Sequence, residues 1–235
     1  MEDKKIKFSE LSKLIAETVM DEMAYPVGFN MKTLVSLPSF AKRLQYCMQY
    51  LKKIGAGSSR VVFAVDNEKV LKVAKNEKGI AQNQEEMQDW RQNYYDCFAK
   101  VYDASEDGIF LEMQAARRAK DSDFRKLTGY GFDVMSAWIG YTASLYIPRN
   151  RMTYRDRNFD ELFDSEEWAE GLDNYNLFSR VHSYLCDTCS GAYGDLQRLS
   201  SWGVVSENGE ESLVIIDFGL TDEVFDNYYR RKVQQ

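Results

Sequence analysis

The stretch Tyr193–Thr221, YGDLQRLSSWGVVSENGEESLVIIDFGLT, restricts the fold most, because it sets two carboxylates at the ends of one β-hairpin. Trp202–Val205 and Leu213–Ile216 have the apolar make-up of strands. Between them Asn208-Gly209 is the pair that a tight two-residue hairpin turn favours. Asp195 precedes the first strand, and Asp217 ends the second, followed by Phe218 and Gly219. A carboxylate delivered by a buried strand must be paired or hydrated. Two of them held by one hairpin predict a phosphate-and-metal site.

Composition narrows the class. A chain of 235 residues with 44% hydrophobic and 29% charged content has the material for one sizeable domain or one two-lobed domain. Its formal charge of −7 argues against nucleic-acid binding through bulk positive charge. No apolar run is long enough to span a bilayer, and the N-terminus has no apolar export signal. Four cysteines are few for a disulfide framework, so a reducing compartment is expected. These points predict a cytoplasmic protein with neither membrane nor nucleic-acid partner.

Phe8, Leu11, Leu14, Ile15, Val19 and Met23 repeat at helical spacing, and Pro26 and Gly28 end that segment. A second helix is expected from Pro38, with Phe40, Leu44, Cys47, Met48 and Leu51 on one face. Residues 1–50 thus read as a helical extension that caps the unit beginning at residue 51. At Ile54 the texture changes. Gly55-Ala56-Gly57-Ser58-Ser59 is a small-residue turn feeding a strand from Val61 to Val65, and Val70–Ala74 returns it. Lys72 lies within that return strand. Alone it reads as an exposed lysine, but the adjacent glycine-rich turn makes an anion site the stronger expectation. A helix begins after Gly79, on which Glu86 shares a face with Asn83, Met87 and Trp90. It is the expected partner of Lys72, with Glu85 the alternative. Residues 99–104 and 109–113 form a further hairpin.

This succession of glycine-rich turn, strand lysine, helix glutamate, hairpin, loop aspartate and Asp-Phe-Gly resembles the protein-kinase-like superfamily over residues 51–220. In detail it is also similar to small kinase-like proteins encoded by tailed bacteriophages. The resemblance implies an α/β (α+β) two-lobed fold, with a β-rich N-lobe over residues 51–112 and a reduced helical C-lobe over 113–235. It implies ATP and Mg²⁺ as cofactors, and either an ATP-dependent phosphotransferase with an unidentified, possibly protein, acceptor or a pseudokinase. The latter would be a nucleotide-binding or structural module, conceivably in a phage virion. It further implies that Gly55, Gly57, Ser58 and Ser59 cover the phosphates, and that Lys72, oriented by Glu86, contacts them. Glu112 and Met113 would meet the adenine at a hinge, Asp195 would orient the attacking hydroxyl, and Asp217 would hold the metal.

Three positions depart from that pattern: Arg60 stands at the third glycine, Tyr193 at the loop histidine, and Ser200 at the second metal ligand, normally asparagine. A neutral serine hydroxyl is the poorer ligand, so one metal site is expected to be weak or absent. Sixteen residues lie after Gly219, so any substrate surface must come from the insert between the hinge and Asp195. Of that insert, Met135–Leu145 and Leu177–Cys186 read as helices, and the basic run Arg149–Arg157 with the acids after it as a solvated surface. His182 reads as structural. Cys186 and Cys189 lack the second ligand pair that a zinc site needs. The terminal YYRRKVQQ reads as a frayed tail.

Overall fold

The computed structural model describes residues 25–92, 95–146, 176–188 and 193–229. The helix expected over residues 8–23, the basic run and Cys189 lie outside them. The first layer is a five-stranded antiparallel sheet: β1 (Lys52–Ala56), β2 (Arg60–Ala64), β3 (Lys69–Ala74), β4 (Val101–Ala104) and β5 (Phe110–Gln114), in the order β1-β2-β3-β5-β4. Successive side chains of a strand face opposite ways, so Leu71 and Val73 look to one side and Val70 and Lys72 to the other. Helices α1 (Met31–Ser36) and α2 (Phe40–Tyr50) cover the first side. There Phe29, Leu34, Cys47 and Leu51 join Phe63, Leu71, Val73 and Phe110 in one buried cluster. Burial of each large side chain contributes about 1.5–3 kcal/mol before ordering costs. Residues 25–50 therefore cap the sheet, as expected.

The other side carries helix α3 (Glu77–Gln92), which links β3 to β4 and packs on β3, β4 and β5. Beyond it lies the mainly helical second lobe: β6 (Arg117–Arg118), α4 (Asp121–Thr128), α5 (Phe132–Tyr146), α6 (Asn176–Thr188), the short α7 (Tyr193–Leu196), a 3₁₀ turn (Leu199–Ser201), β7 (Trp202–Glu207), β8 (Glu210–Ile215) and α8 (Asp222–Tyr228). Its core is aromatic, with Trp138, Trp202, Tyr184, Phe124, Phe178 and Phe218 fully buried. The architecture is the expected mixed α/β one, with a sheet-rich first lobe and a mainly helical second lobe. The β7–β8 hairpin turns at Asn208 and Gly209, both at positive φ (53° and 85°), and Glu207 pairs with Glu210. That geometry is why Asn-Gly occupies the turn.

Four local readings change. Lys52–Ala56 is a strand rather than part of a turn; as an exposed edge it shows no apolar alternation. Helix α2 starts at Phe40 because the Ser39 hydroxyl accepts from Lys42 N, which leaves Pro38 just outside the cap. The helix expected after Gly79 starts at Glu77, and beyond it Ala99 N donates to Ile215 O and Ile215 N donates to Cys97 O, joining the lobes through a short parallel bridge. Finally, residues 222–228 form α8, capped by Thr221, where no helix was expected.

Candidate active site

Strand β2 pairs Val62 with Lys72 and Arg60 with Ala74, so Arg60 and Lys72 project from the same side of the sheet toward α3 and the segment after β8. Lys72 Nζ donates to Glu86 Oε2 at 2.6 Å and to the Ile216 carbonyl at 2.6 Å. Glu86, fully buried, is the expected partner. Glu85 is half-buried and lies beside Glu223.

The unexpected member is Arg60. Arg60 is 6% exposed, and its guanidinium reaches Glu86 Oε1 at 2.8 Å, Asn83 Oδ1 at 3.2 Å and Asp217 Oδ1. Glu86 Oε1 also accepts from the backbone N–H groups of Phe218 and Gly219 at 3.3 and 3.2 Å. One helix carboxylate thus ties two sheet cations to the Asp-Phe-Gly backbone. With formal charges of +2 from Lys72 and Arg60 and −2 from Glu86 and Asp217, the cluster is balanced.

Titration follows the geometry. Burial works against the Glu86 charge, but Arg60 and Lys72 outweigh it and hold the carboxyl below its usual range. Burial also works against the Arg60 charge, and Glu86 and Asp217 raise it well above the ordinary arginine value. Lys72 is pulled down by burial and by Arg60, against the attraction of Glu86 and Asp217.

Asp195 lies on α7, its side chain 13% exposed and 3.1 Å from Arg198 Nη1. The loop is pinned by Trp202 Nε1, which donates to Leu196 O at 2.7 Å. Burial raises the Asp195 pKa, the Asp217 charge raises it further, and Arg198 and Arg60 oppose them. Asp195 thus lies near enough to Asp217 and Arg60 to feel both charges.

Other expected site residues are placed differently. Ser59 is buried, with its hydroxyl bonded to Gln82 Oε1 of α3 and its carbonyl accepting from Lys75 N. Gly57 N donates to Arg60 O, closing the turn on itself, and the Ser58 carbonyl accepts from Asn76. Gly55 sits inside β1 opposite Val62. The turn is thus fastened to the β3–α3 corner, with the Gly57 N–H and the Ser59 hydroxyl and carbonyl already bonded. Glu112 and Met113 belong to β5 rather than to a hinge. Glu112 lies between Leu71 of β3 and Asp103 of β4, and its side chain meets Lys69 (2.9 Å) and Tyr25 on the capped side, away from Lys72. The connection between the two sheets is Ala115–Ala116. Ser200 is exposed on the 3₁₀ turn. His182 contacts Tyr146 (3.1 Å) and packs on Trp138, in keeping with a structural role.

A divalent metal does not fit this arrangement. Asp217 Oδ1 is taken by a guanidinium, Ser200 faces solvent, and no cluster of three His, Cys, Asp or Glu side chains exists among the described residues. The Asp217 side chain is 47% exposed, so the cluster reaches solvent at that carboxylate.

Asp89 adds a pH signature one turn along α3. Its Oδ2 is buried without a hydrogen-bond partner among the described residues. Burial first, then the charges of Glu85 and Glu86, push its carboxyl from 3.8 up to about 6. The folded chain keeps a proton that the unfolded chain has lost. Stability from this group is therefore present at low pH and declines as pH rises from 3.8 to about 6. Asp89→Asn is expected to remove that slope and raise the unfolding temperature at neutral pH; thermal melts from about pH 4 to about pH 7 measure both. An unchanged slope would exclude Asp89 as its source.

No family model matches the chain, and no curated protein is similar to it. Among solved structures it is similar to the streptomycin–ATP–APH(2″)-IIa ternary complex at 15% identity, with a TM-score of 0.30, covering 82% of this chain and 72% of that one. At that score the likeness carries no weight, and the architecture rests on the chain's own geometry. Among the described residues no helix is long and apolar enough to cross a membrane.

Proposed function

We propose that the chain is a nucleotide-dependent phosphotransferase of kinase-like architecture, with its site in a charge-paired resting state. One observation supports the reading: Lys72, held by Glu86, is buried within reach of the Asp217 charge, which Asp195 also feels. Phosphoryl transfer asks a protein mainly for positioning and charge neutralisation, which such a cluster supplies. ATP would bring the transferable phosphoryl group. Lys72 would neutralise its phosphates, and Asp195, its pKa raised, would orient and deprotonate an acceptor hydroxyl. The acceptor, a protein among the candidates, would dock on the second lobe.

A second reading is a nucleotide-binding or structural module without turnover, including a phage virion component. The Arg60–Asp217 pair and the exposed Ser200 favour it. Differential scanning fluorimetry with ATP separates these. Both readings that use nucleotide expect an upward shift, of about 2.7 kcal/mol at 100 times the dissociation constant, lost in Lys72→Ala. Only the enzyme expects acceptor-independent ATP turnover that Asp195→Ala abolishes. Turnover undiminished by Asp195→Ala would remove that residue's role, and no nucleotide response would leave the structural module.

A further inference from the structure

Arg60 is seated in a socket that nothing in the phosphotransferase reading requires. Asn83, 1% exposed, donates from Nδ2 to the Gly108 carbonyl at 2.9 Å, which fixes its Oδ1 toward the guanidinium. Glu86 supplies a second acceptor and Asp217 the third. The strand register aims Arg60 and Lys72 into the cleft from neighbouring strands, and the turn before Arg60 is bolted to α3 through Ser59 and Gln82. Arginine is suited to such a site because its planar donors serve several acceptors while its charge persists at every physiological pH.

The consequence concerns Asp217. Among the described residues its one ion pair is with Arg60, through Oδ1. A divalent cation at that oxygen would lie against the guanidinium, and like charges in a half-buried site repel strongly. Arg60 has no easy retreat, because leaving Asp217 would still hold it against Glu86 and Asn83. Cation and guanidinium therefore compete for one carboxylate, and the guanidinium is covalently resident.

We propose that Arg60 is a built-in counter-cation for Asp217, so that the cleft takes up the phosphates of a nucleoside triphosphate without a divalent metal. This rests on the nucleotide reading above and adds its metal requirement. Arg60 cancels the Asp217 charge that would otherwise repel the phosphates, and Lys72 would meet them.

Calorimetric titration of the full chain with ATP, in EDTA and again in excess Mg²⁺, tests the uptake; titration with Mn²⁺ alone tests the competition. The wild type is expected to bind ATP equally, within about twofold, in both conditions, and to show no saturable Mn²⁺ binding. Arg60→Gln is expected to lose about tenfold or more of its ATP affinity in EDTA, to recover it with Mg²⁺, and to gain an Mn²⁺ site that a further Asp217→Asn removes. The proposal is overturned if wild-type ATP binding needs Mg²⁺, or if the wild type binds Mn²⁺ alone in a way that Asp217→Asn abolishes. Should Arg60→Gln not fold, the wild-type and Asp217→Asn titrations still decide. Absence of ATP binding in every condition would overturn the nucleotide reading and the metal-free uptake with it. The Mn²⁺ arm would then report separately on whether Arg60 excludes a metal from Asp217.

Discussion

Glu86→Gln is expected to destabilise the fold by about 3–5 kcal/mol, among the largest effects of any single change at the site. The glutamate is fully buried and receives Lys72, Arg60 and two backbone N–H groups. A neutral amide of the same size leaves two cations facing each other away from water, with one negative partner between them. Removing one member of a buried ionic cluster costs far more than the cluster's net worth, because the remaining charges lose their compensation. The contrast is Glu85→Gln, one residue earlier and half-buried, where the pKa is raised by burial and by Glu223. That change relieves an unfavourable charge and is expected to be neutral or slightly stabilising. Urea denaturation of both variants measures the difference. A Glu86→Gln midpoint matching the wild type would mean that the cluster is not assembled as described.

Phe218→Ala is expected to cost about 3–5 kcal/mol by a different route, the cavity left by a large buried ring. Phe218 is 1% exposed and stacks on Phe98 with centroids 4.0 Å apart and planes 7° apart. Phe98 in turn meets Tyr184 and Tyr95 edge-on, at 4.8 and 5.6 Å. The ring thus anchors the segment after β8 into the aromatic core, between the carboxylate of Asp217 and the backbone N–H that Gly219 gives to Glu86. Truncation is therefore expected to weaken the nucleotide response as well as stability. Phe225→Ala, on the exposed side of α8 at 44% exposure, is expected to change stability by less than about 0.5 kcal/mol. Equal losses in the two variants would contradict the placement of Phe218.

The sequence made the frame of the site legible, because the frame is periodic. Helical spacing separates Glu86 from Glu85, and the alternation of β3 shows that Lys72 faces away from Leu71 and Val73. The Asn208-Gly209 turn fixes the hairpin that spaces Asp195 from Asp217. Arg60 was missed as a site residue, although a signal existed. Strand period two places Arg60 on the same face as Val62, and pairing of Val62 with Lys72 then puts both cations together. Registering Arg60 only as a missing glycine hid that consequence. The same parity argument, applied to Leu71 and Glu112, removes Glu112 from the cleft. The fastening of Ser59 to Gln82 was not legible, since a small polar residue in a turn carries no mark of the neighbour it will bond. Nor was α8, which is short and held partly by its contact with α3.

Nucleotide binding at Lys72, Arg60 and Asp217 is the proposal on which the phosphotransferase reading depends. Amide hydrogen exchange with and without ATP, read by peptide, tests it most directly. The account predicts slowed exchange in the peptides spanning Gly55–Val62 and Ile216–Gly219. It predicts no change around the separate surface pocket lined by Leu127, Arg180 and Glu211. Protection confined to that pocket, or no protection anywhere at saturating ATP, would contradict it.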